Sequence, residues 1–343
     1  MILRPVLFIH GFDGKPEHWV EDGFPQFLAE AGGFDPDLLR LFSYGYTHTE
    51  EDGVLIYNNQ GDMRQIASRL TKAPSDTAED VASAVEQLSA DSVAKGGPAE
   101  VDLVCHSIGG LIARYYLARR EKDEFGTQYS DKVRKLIMLG TPQHGLMSLN
   151  LAQTLVPEGS IIRRLLDIFE KLPWTVGKFS GHLRDLDDYA AKLANLAVKE
   201  LQDPHTESKL DSPAVAQTRP DSEFMQYINA PGKMPRDVEY YIIYTDIYFQ
   251  LELQWLGKKL LRHRQSFGDF LVPVASSSSI PNTRATVFRY ETRLGERIRM
   301  GMKMDIGNKE LQGLKQGLKP DTAHSNLRRN KAIQRKVLEI LSA

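Results

Sequence analysis

Leu103-Val104-Cys105-His106-Ser107-Ile108-Gly109-Gly110-Leu111 is the stretch on which the reading of the fold turns. An apolar run from Val101 to Cys105, broken only by Asp102, stops at a serine. Two glycines follow, and helical spacing then takes over at Leu111, Ile112, Tyr115, Tyr116 and Ala118. A strand that turns sharply into a helix through His-Ser-x-Gly-Gly has the pattern of a nucleophile elbow. The pattern has a steric logic. Ser107 must occupy a tight, strained turn if its hydroxyl is to stand clear of the sheet edge. The positions two before and two after it must be small, because strand and helix nearly touch there. Gly109 meets that demand, whereas Cys105 stands where glycine is more usual. The helix beginning at this point aims its unpaired N–H groups at the place where an oxyanion would form.

Working outward, the alternation of elements sets the architecture. Val6 to Ile9 is a short apolar strand ending at His10-Gly11, and Asp37 to Tyr46 reads as a second strand running into Ser-Tyr-Gly-Tyr. Asp76 to Ala94 has helical spacing at Ala78, Val81, Val85 and Leu88, and Gly96-Gly97-Pro98 ends it before the elbow strand. Val133 to Leu139 is the next strand, closing on Gly-Thr-Pro; Val238 to Thr245 and Ala285 to Glu291 are later ones. Strands alternating with helices predict an α/β fold with a mostly parallel, doubly wound sheet whose sites lie at the strands' carboxyl ends. His10, Ser107 and Thr141 all fall at such ends.

Between Ser148 and Pro235 the chain changes character. Ser160 to Leu172 and His182 to Leu201 carry wide apolar faces at helical spacing, and a polar, proline-punctuated stretch follows from Asp203 to Asp221. The predicted division is a core of residues 1–147 and 236–343 with a helical insertion at 148–235.

Composition narrows the classes of function. Forty-three basic against 45 acidic side chains give a net charge of -2, which argues against a global nucleic-acid or anionic-membrane binder. The locally basic runs 256–264 and 284–303 read more readily as solvated faces than as docking patches. The single cysteine, Cys105, permits no intrachain disulfide and suits a reducing compartment. Met1 leads straight into the first strand with no leader pattern, and no apolar run approaches the roughly 20 residues of a membrane span, so a cytoplasmic protein is expected. No HExxH, paired CxxC, GxGxxG or EF-hand loop occurs, so neither a metal nor a nucleotide cofactor is expected.

Five segments then fall in a telling order: Pro5-Val6-Leu7-Phe8-Ile9-His10-Gly11-Phe12, the Cys-His-Ser-Ile-Gly-Gly elbow, Leu139-Gly140-Thr141-Pro142, Gly268-Asp269-Phe270-Leu271-Val272-Pro273 and His324-Ser325-Asn326-Leu327. In this order they resemble lipases and esterases of the α/β-hydrolase superfamily, above all bacterial triacylglycerol lipases, class 2 lipases and GPI inositol-deacylase-like proteins. The likeness covers the N-terminal half well, the C-terminal third in patches and the middle weakly. It implies an α/β-hydrolase fold whose insertion at 148–235 is a cap, or lid, over an apolar acyl pocket. It also implies an oxyanion hole from the backbone N–H groups of Phe12 and Ile108, with His106, Gly109 and Gly110 supporting the elbow.

A serine hydroxyl needs a general base, and the base a carboxylate that fixes its tautomer. The superfamily's chain order is serine, acid, histidine. Of the downstream histidines, His182 and His205 fall in the insertion and His263 in an Arg/Lys run. His324, after the last expected strand and before a closing helix at 326–341, is the candidate base. Asp269 lies in Gly-Asp-Phe-Leu-Val-Pro, close to the Gly-Asp-Gly-x-Val-Pro of the resembling lipases although Phe270 replaces a glycine, and is preferred as acid over Asp246. The long interval from Asp269 to His324 implies a further insertion near residues 293–319. The expected activity is hydrolysis of apolar carboxylic esters, lipid-sized or smaller, with transient contact to a lipid surface allowed and no nucleic-acid partner. An acyltransferase or thioesterase would use the same residues, an amidase or peptidase is also open, and a non-catalytic hydrolase-fold binding module is the alternative of a different class.

Overall fold

The structure is a computed structural model, and it describes residues 3–12, 14–42, 46–48, 55–57, 61–68, 84–146, 212–255, 258–266, 268–269, 271–294, 297–300 and 321–343. The expected helices at 160–172 and 182–201, and the interval 301–320, lie outside the described residues. So does most of the expected cap.

Strand β1 (Val6–Ile9) is followed by helices α1 (Glu17–Glu21) and α2 (Phe24–Gly32), then by β2 (Leu39–Phe42). A small antiparallel pair, β3 (Tyr46–His48) and β4 (Leu55–Tyr57), precedes helices α3 (Met63–Ser68) and α4 (Ala84–Ala94). Next come β5 (Val101–His106), α5 (Gly109–Ala118) and β6 (Val133–Leu139). After the undescribed interval follow α6 (Pro213–Gln217), α7 (Glu223–Asn229), β7 (Glu239–Trp255) and β8 (Lys258–Ser266). The chain closes with α8 (Val274–Ser277), β9 (Thr286–Leu294), β10 (Arg297–Met300) and α9 (Lys331–Ser342).

The backbone of the sheet is parallel throughout: β2-β1-β5-β6-β7, with β9 and β10 both parallel to β7 on its outer edge. Only β8 runs antiparallel, as the return arm of a hairpin with the far half of β7. The basic run 256–264 is thus largely strand β8. Consecutive residues of the central strands serve opposite faces. Leu7, Ile9, Leu103, Cys105, Leu136, Met138 and Ile242 join the core beneath α3, α4, α5, α6 and α7. Val6, Phe8, Val104, Ile137, Leu139 and Ile243 join a second core with α1, α2 and α9. A sheet covered on both sides explains why β5 is buried at every position and reads as an apolar run rather than an alternation. This is an α/β fold with a mostly parallel, doubly wound sheet.

Local chemistry sets the helix ends. The side chains of Ser212, Ser222 and Asn330 accept hydrogen bonds from the first-turn N–H groups of α6, α7 and α9 respectively. Gly33, at φ +69°, ends α2 in the left-handed conformation that a Cβ disfavours. On the second face, Phe8, Trp19 and Phe24 form a three-ring cluster with centroids 5.1 to 5.9 Å apart. Ala214, Phe224, Met225 and Ile228 of α6 and α7 pack in the same core as α5. Among the described residues no helix is long and apolar enough to cross a membrane.

The one polar break in the elbow strand, Asp102, is fully buried, and neither carboxylate oxygen has a hydrogen-bond partner. Burial pushes its pKa up to about 7, despite the opposing pull of Lys135, Arg4 and Arg134. A carboxyl raised in the fold keeps a proton that the unfolded chain loses near pH 4. Folding stability therefore falls as pH rises from about 4 to about 7. Asp102→Asn removes this slope. In urea unfolding, the stability of the variant relative to wild type should improve by about 2–4 kcal/mol between pH 4 and pH 8. A constant difference across that range would refute this reading of Asp102.

Candidate active site

The elbow is formed as its sequence demands. Ser107, which follows β5 directly, has φ +54°, a conformation that costs a non-glycine residue roughly 1–2 kcal/mol and persists only where the surroundings impose it. They do so from three sides. The Ser107 N–H donates to the Leu139 carbonyl at 2.9 Å, and the Thr141 hydroxyl donates to the Ser107 carbonyl at 2.8 Å. Glycines let the crowded backbones meet. A Cβ on Gly11 would lie 2.6 Å from the Ser107 Cβ, one on Gly109 would lie 2.5 Å from the His10 carbonyl oxygen, and one on Gly110 would lie 2.2 Å from Thr141 Oγ1. Cys105 fits where glycine was expected because its side chain points into the first core. There its thiol is fully buried, its pKa is pushed well up, and it is no rival nucleophile.

Asp269 and His324 meet at the same edge. His324 Nδ1 is 2.7 Å from Asp269 Oδ2, with both side chains buried. The other carboxylate oxygen, Oδ1, accepts from the Leu271 and Val272 N–H groups at 3.0 and 2.7 Å. The His324 N–H donates to the Asp269 carbonyl at 2.9 Å, so acid and base are tied through main chain as well as side chain. With Nδ1–H given to the carboxylate, Nε2 holds the lone pair. This atom is buried and makes no hydrogen bond, to Ser107 Oγ or to any other described group.

The rival acid is committed elsewhere. Asp246 accepts from Arg264, Arg289 and Ser266, at the root of the β7–β8 hairpin. His10 is buried, its Nδ1 lies 3.1 Å from the Gly11 carbonyl oxygen, and burial lowers its pKa to about 4, so it is neutral under ordinary conditions. Phe12 and Ile108 flank the elbow, and no hydrogen bond is made by either backbone N–H among the described residues. Phe270 lies outside them. A cavity of about 460 Å³ lined by Arg64, Tyr115, Arg119 and Tyr227 sits at the far end of α5 from Ser107 and is not an acyl pocket for it.

Two features were not foreseen from the sequence. The first is the position of Gly140. At φ +60°, a Cβ there would lie 2.9 Å from Asp269 Oδ2 and 3.2 Å from His324 Nδ1, so this glycine walls the acid–base pair. Gly140→Ala is expected to cost about 1–2 kcal/mol of stability for the left-handed backbone and to lower kcat about 10- to 100-fold by displacing the pair. Steady-state kinetics on the folded variant check this, and an unchanged kcat would contradict it. The second feature is a buried chain of polar groups behind His324, joining His106 to Arg328 and Asp22. Nothing in the sequence announces it, because Asp22 and Arg328 are 306 residues apart.

Residues 67–296 match the family described as "Domain of unknown function (DUF7379)". No curated protein matches the chain. Among solved structures, it is similar to the mature form of the lipase BlEst2 of Bacillus licheniformis at 14% identity and a TM-score of 0.46, over 99% of this chain and 93% of that one. It is also similar to EstA of Clostridium botulinum at 14% identity and a TM-score of 0.44, over 99% and 86% of the respective chains. Lipase 1 of Pelosinus fermentans is similar at 12% identity and a TM-score of 0.38, over 99% of each chain.

Proposed function

We propose that this chain, which belongs to the family described as "Domain of unknown function (DUF7379)", hydrolyses carboxylic esters through an acyl-enzyme on Ser107. The observation that carries the proposal is the coincidence, at one sheet edge, of a serine in a strained elbow with a buried Asp269–His324 pair 2.7 Å apart. A buried Asp–His pair alone serves structure as readily as catalysis. Placed beside a serine whose backbone is forced into the left-handed region, it has the parts that nucleophilic acyl transfer needs.

The mechanism follows from the atoms. Ser107 Oγ attacks the ester carbonyl carbon while His324 Nε2 takes its proton. Asp269 Oδ2, accepting from Nδ1–H, holds the tautomer and stabilises the imidazolium. The Phe12 and Ile108 N–H groups, together with the N-terminus of α5, are the proposed donors to the tetrahedral oxyanion. His324 then returns the proton to the departing alkoxide. Water, activated by the same imidazole, attacks the acyl carbon, and Ser107 recovers its proton as the acid leaves. No step requires a metal or an organic cofactor.

The substrate class rests on the sequence of 148–235, whose amphipathic helical pattern suits an apolar lid. We assign the protein to esters with an apolar acyl group, with transient approach to a lipid surface. A cytoplasmic setting suits a chain whose sole cysteine is buried and free. p-Nitrophenyl esters from short to long acyl chains, assayed beside matched thioester and anilide substrates, test this. Ester turnover with an optimum at medium or long chains is expected. Turnover of the anilide or thioester above the ester would overturn the substrate class.

A further inference from the structure

We infer that Asp22, Arg328 and His106 form a buried positioning relay that fixes the main chain of His324 and sets its imidazole toward Ser107. The inference rests on the triad reading given above. Arg328 Nε donates to Asp22 Oδ2 at 2.8 Å, and Arg328 Nη1 donates to His106 Nδ1 at 3.0 Å. His106 Nε2 then lies 3.0 Å from the His324 carbonyl oxygen, and the two imidazole rings are 4.7 Å apart. All three relay residues are buried. The main chain of Asp22 is held too, because Gln334 Nε2 donates to both the Asp22 and the Arg328 carbonyls.

The direction of each bond is forced. A guanidinium can only donate, so His106 Nδ1 must present its lone pair to Arg328. His106 is therefore neutral with its proton on Nε2, and that proton goes to the His324 carbonyl. Desolvation and the nearby Arg328 charge both hold its pKa well down, which favours this neutral form. The opposite tautomer would aim the Nε2 lone pair at the carbonyl oxygen and leave two donors facing each other at Nδ1. Arg328 thus selects a tautomer, and the tautomer secures the carbonyl.

The consequence falls on the base. His324 is held by its N–H through the Asp269 carbonyl, by its C=O through His106, and by Nδ1 through Asp269 Oδ2. Of these three ties, only the one from His106 comes from the strand that also carries the nucleophile. It locks the elbow and the base loop into one body. Residue 106 adjoins Ser107 in sequence, so a displacement of the base loop relative to the elbow must break this bond first.

His106→Phe keeps a planar ring and removes both bonds. His106→Gln offers an amide N–H to the His324 carbonyl and an amide oxygen to Arg328, and so restores them. Arg328→Lys keeps the charge beside Asp22 but cannot span from Asp22 to His106. The measurements are kcat and KM on a p-nitrophenyl ester, with Ser107→Ala as control, and the downfield proton resonance of His324 Nδ1–H. Loss of kcat by about 30-fold in His106→Phe and Arg328→Lys is expected, with KM within threefold, a shifted or broadened imidazole resonance, and recovery to within fivefold in His106→Gln. Wild-type kcat and an unmoved resonance in either damaged variant would overturn the relay and leave the triad reading intact. Absence of Ser107-dependent turnover in the wild type would instead overturn the triad reading, and the relay would then stand or fall on the resonance alone. If His106→Phe does not fold, Arg328→Lys and the His106→Gln rescue carry the same decision.

Discussion

Ser107→Ala is expected to lower kcat/KM for a p-nitrophenyl ester by about 10⁴- to 10⁶-fold while leaving the folded structure unchanged. The size of the effect follows from the absence of a substitute. Cys105 is turned into the core, and among the described residues no other serine combines the left-handed φ of an elbow with a neighbouring Asp–His pair. What survives the substitution is the contribution of the oxyanion donors and of binding, which act on a water nucleophile without a covalent intermediate. His324→Ala should fall nearly as far, and the double variant little further, because nucleophile and base act as a unit. Additive losses would contradict that coupling. Replacing the serine also relieves its attack geometry but not its backbone strain, so thermal stability should move by no more than a few degrees.

The second large effect separates two aspartates that the sequence alone leaves in competition. Asp269→Asn should lower kcat by about 10³- to 10⁴-fold, since an amide that donates toward Nδ1 favours the wrong imidazole tautomer. Asp246→Asn should keep kcat within threefold of wild type. Its cost should appear in stability, about 1–2 kcal/mol, because Arg264 and Arg289 lose the buried one of the two carboxylates they share, Glu291 remaining. Both arginines are about one-third exposed or more, which limits the penalty. Kinetics paired with urea unfolding distinguish the two. The opposite assignment would show itself as a catalytic loss in Asp246→Asn.

How much of this could be read from residues alone depends on how local each constraint is. The elbow is a local object. Its strained serine requires small neighbours within two or three positions, so Ser107, Gly109 and Gly110 advertise it. The parallel sheet was legible for a similar reason, since strands buried on both faces appear as unbroken apolar runs between helical patterns. His324 emerged by its place after the last strand, and Asp269 by a short motif, but their 2.7 Å contact is a property of the fold. Gly140 lay in a recognised Leu-Gly-Thr-Pro segment, yet only the packing of three separate segments shows what its missing side chain makes room for. The Asp22–Arg328–His106 chain was invisible because it joins α1, the elbow strand and the entry to α9. The expected strand ends at Thr245, whereas β7 runs on to Trp255: its outer half, an apolar alternation at Phe249, Leu251, Leu253 and Trp255, passes the central sheet and takes its partners from β8 and β10.

The opposing titrations bear on how the protein should be handled. Asp102 favours acid, whereas His10 and His106, held neutral by burial, are lost as stabilising groups when the pH drops below their unfolded value of about 6.5 and the unfolded chain takes up protons. Comparisons between variants are therefore cleanest near pH 8, above the titration of Asp102 and where neither histidine is being forced to charge.

The most direct test of the central claim is covalent capture. A fluorophosphonate reacts with a serine only where a base and an oxyanion site activate it. The protein should gain the mass of one phosphonyl group, mapped by peptide sequencing to Ser107, with no adduct in Ser107→Ala and a strongly slowed one in His324→Ala. A folded wild-type protein that forms no adduct, or an adduct that persists in Ser107→Ala, would contradict the account.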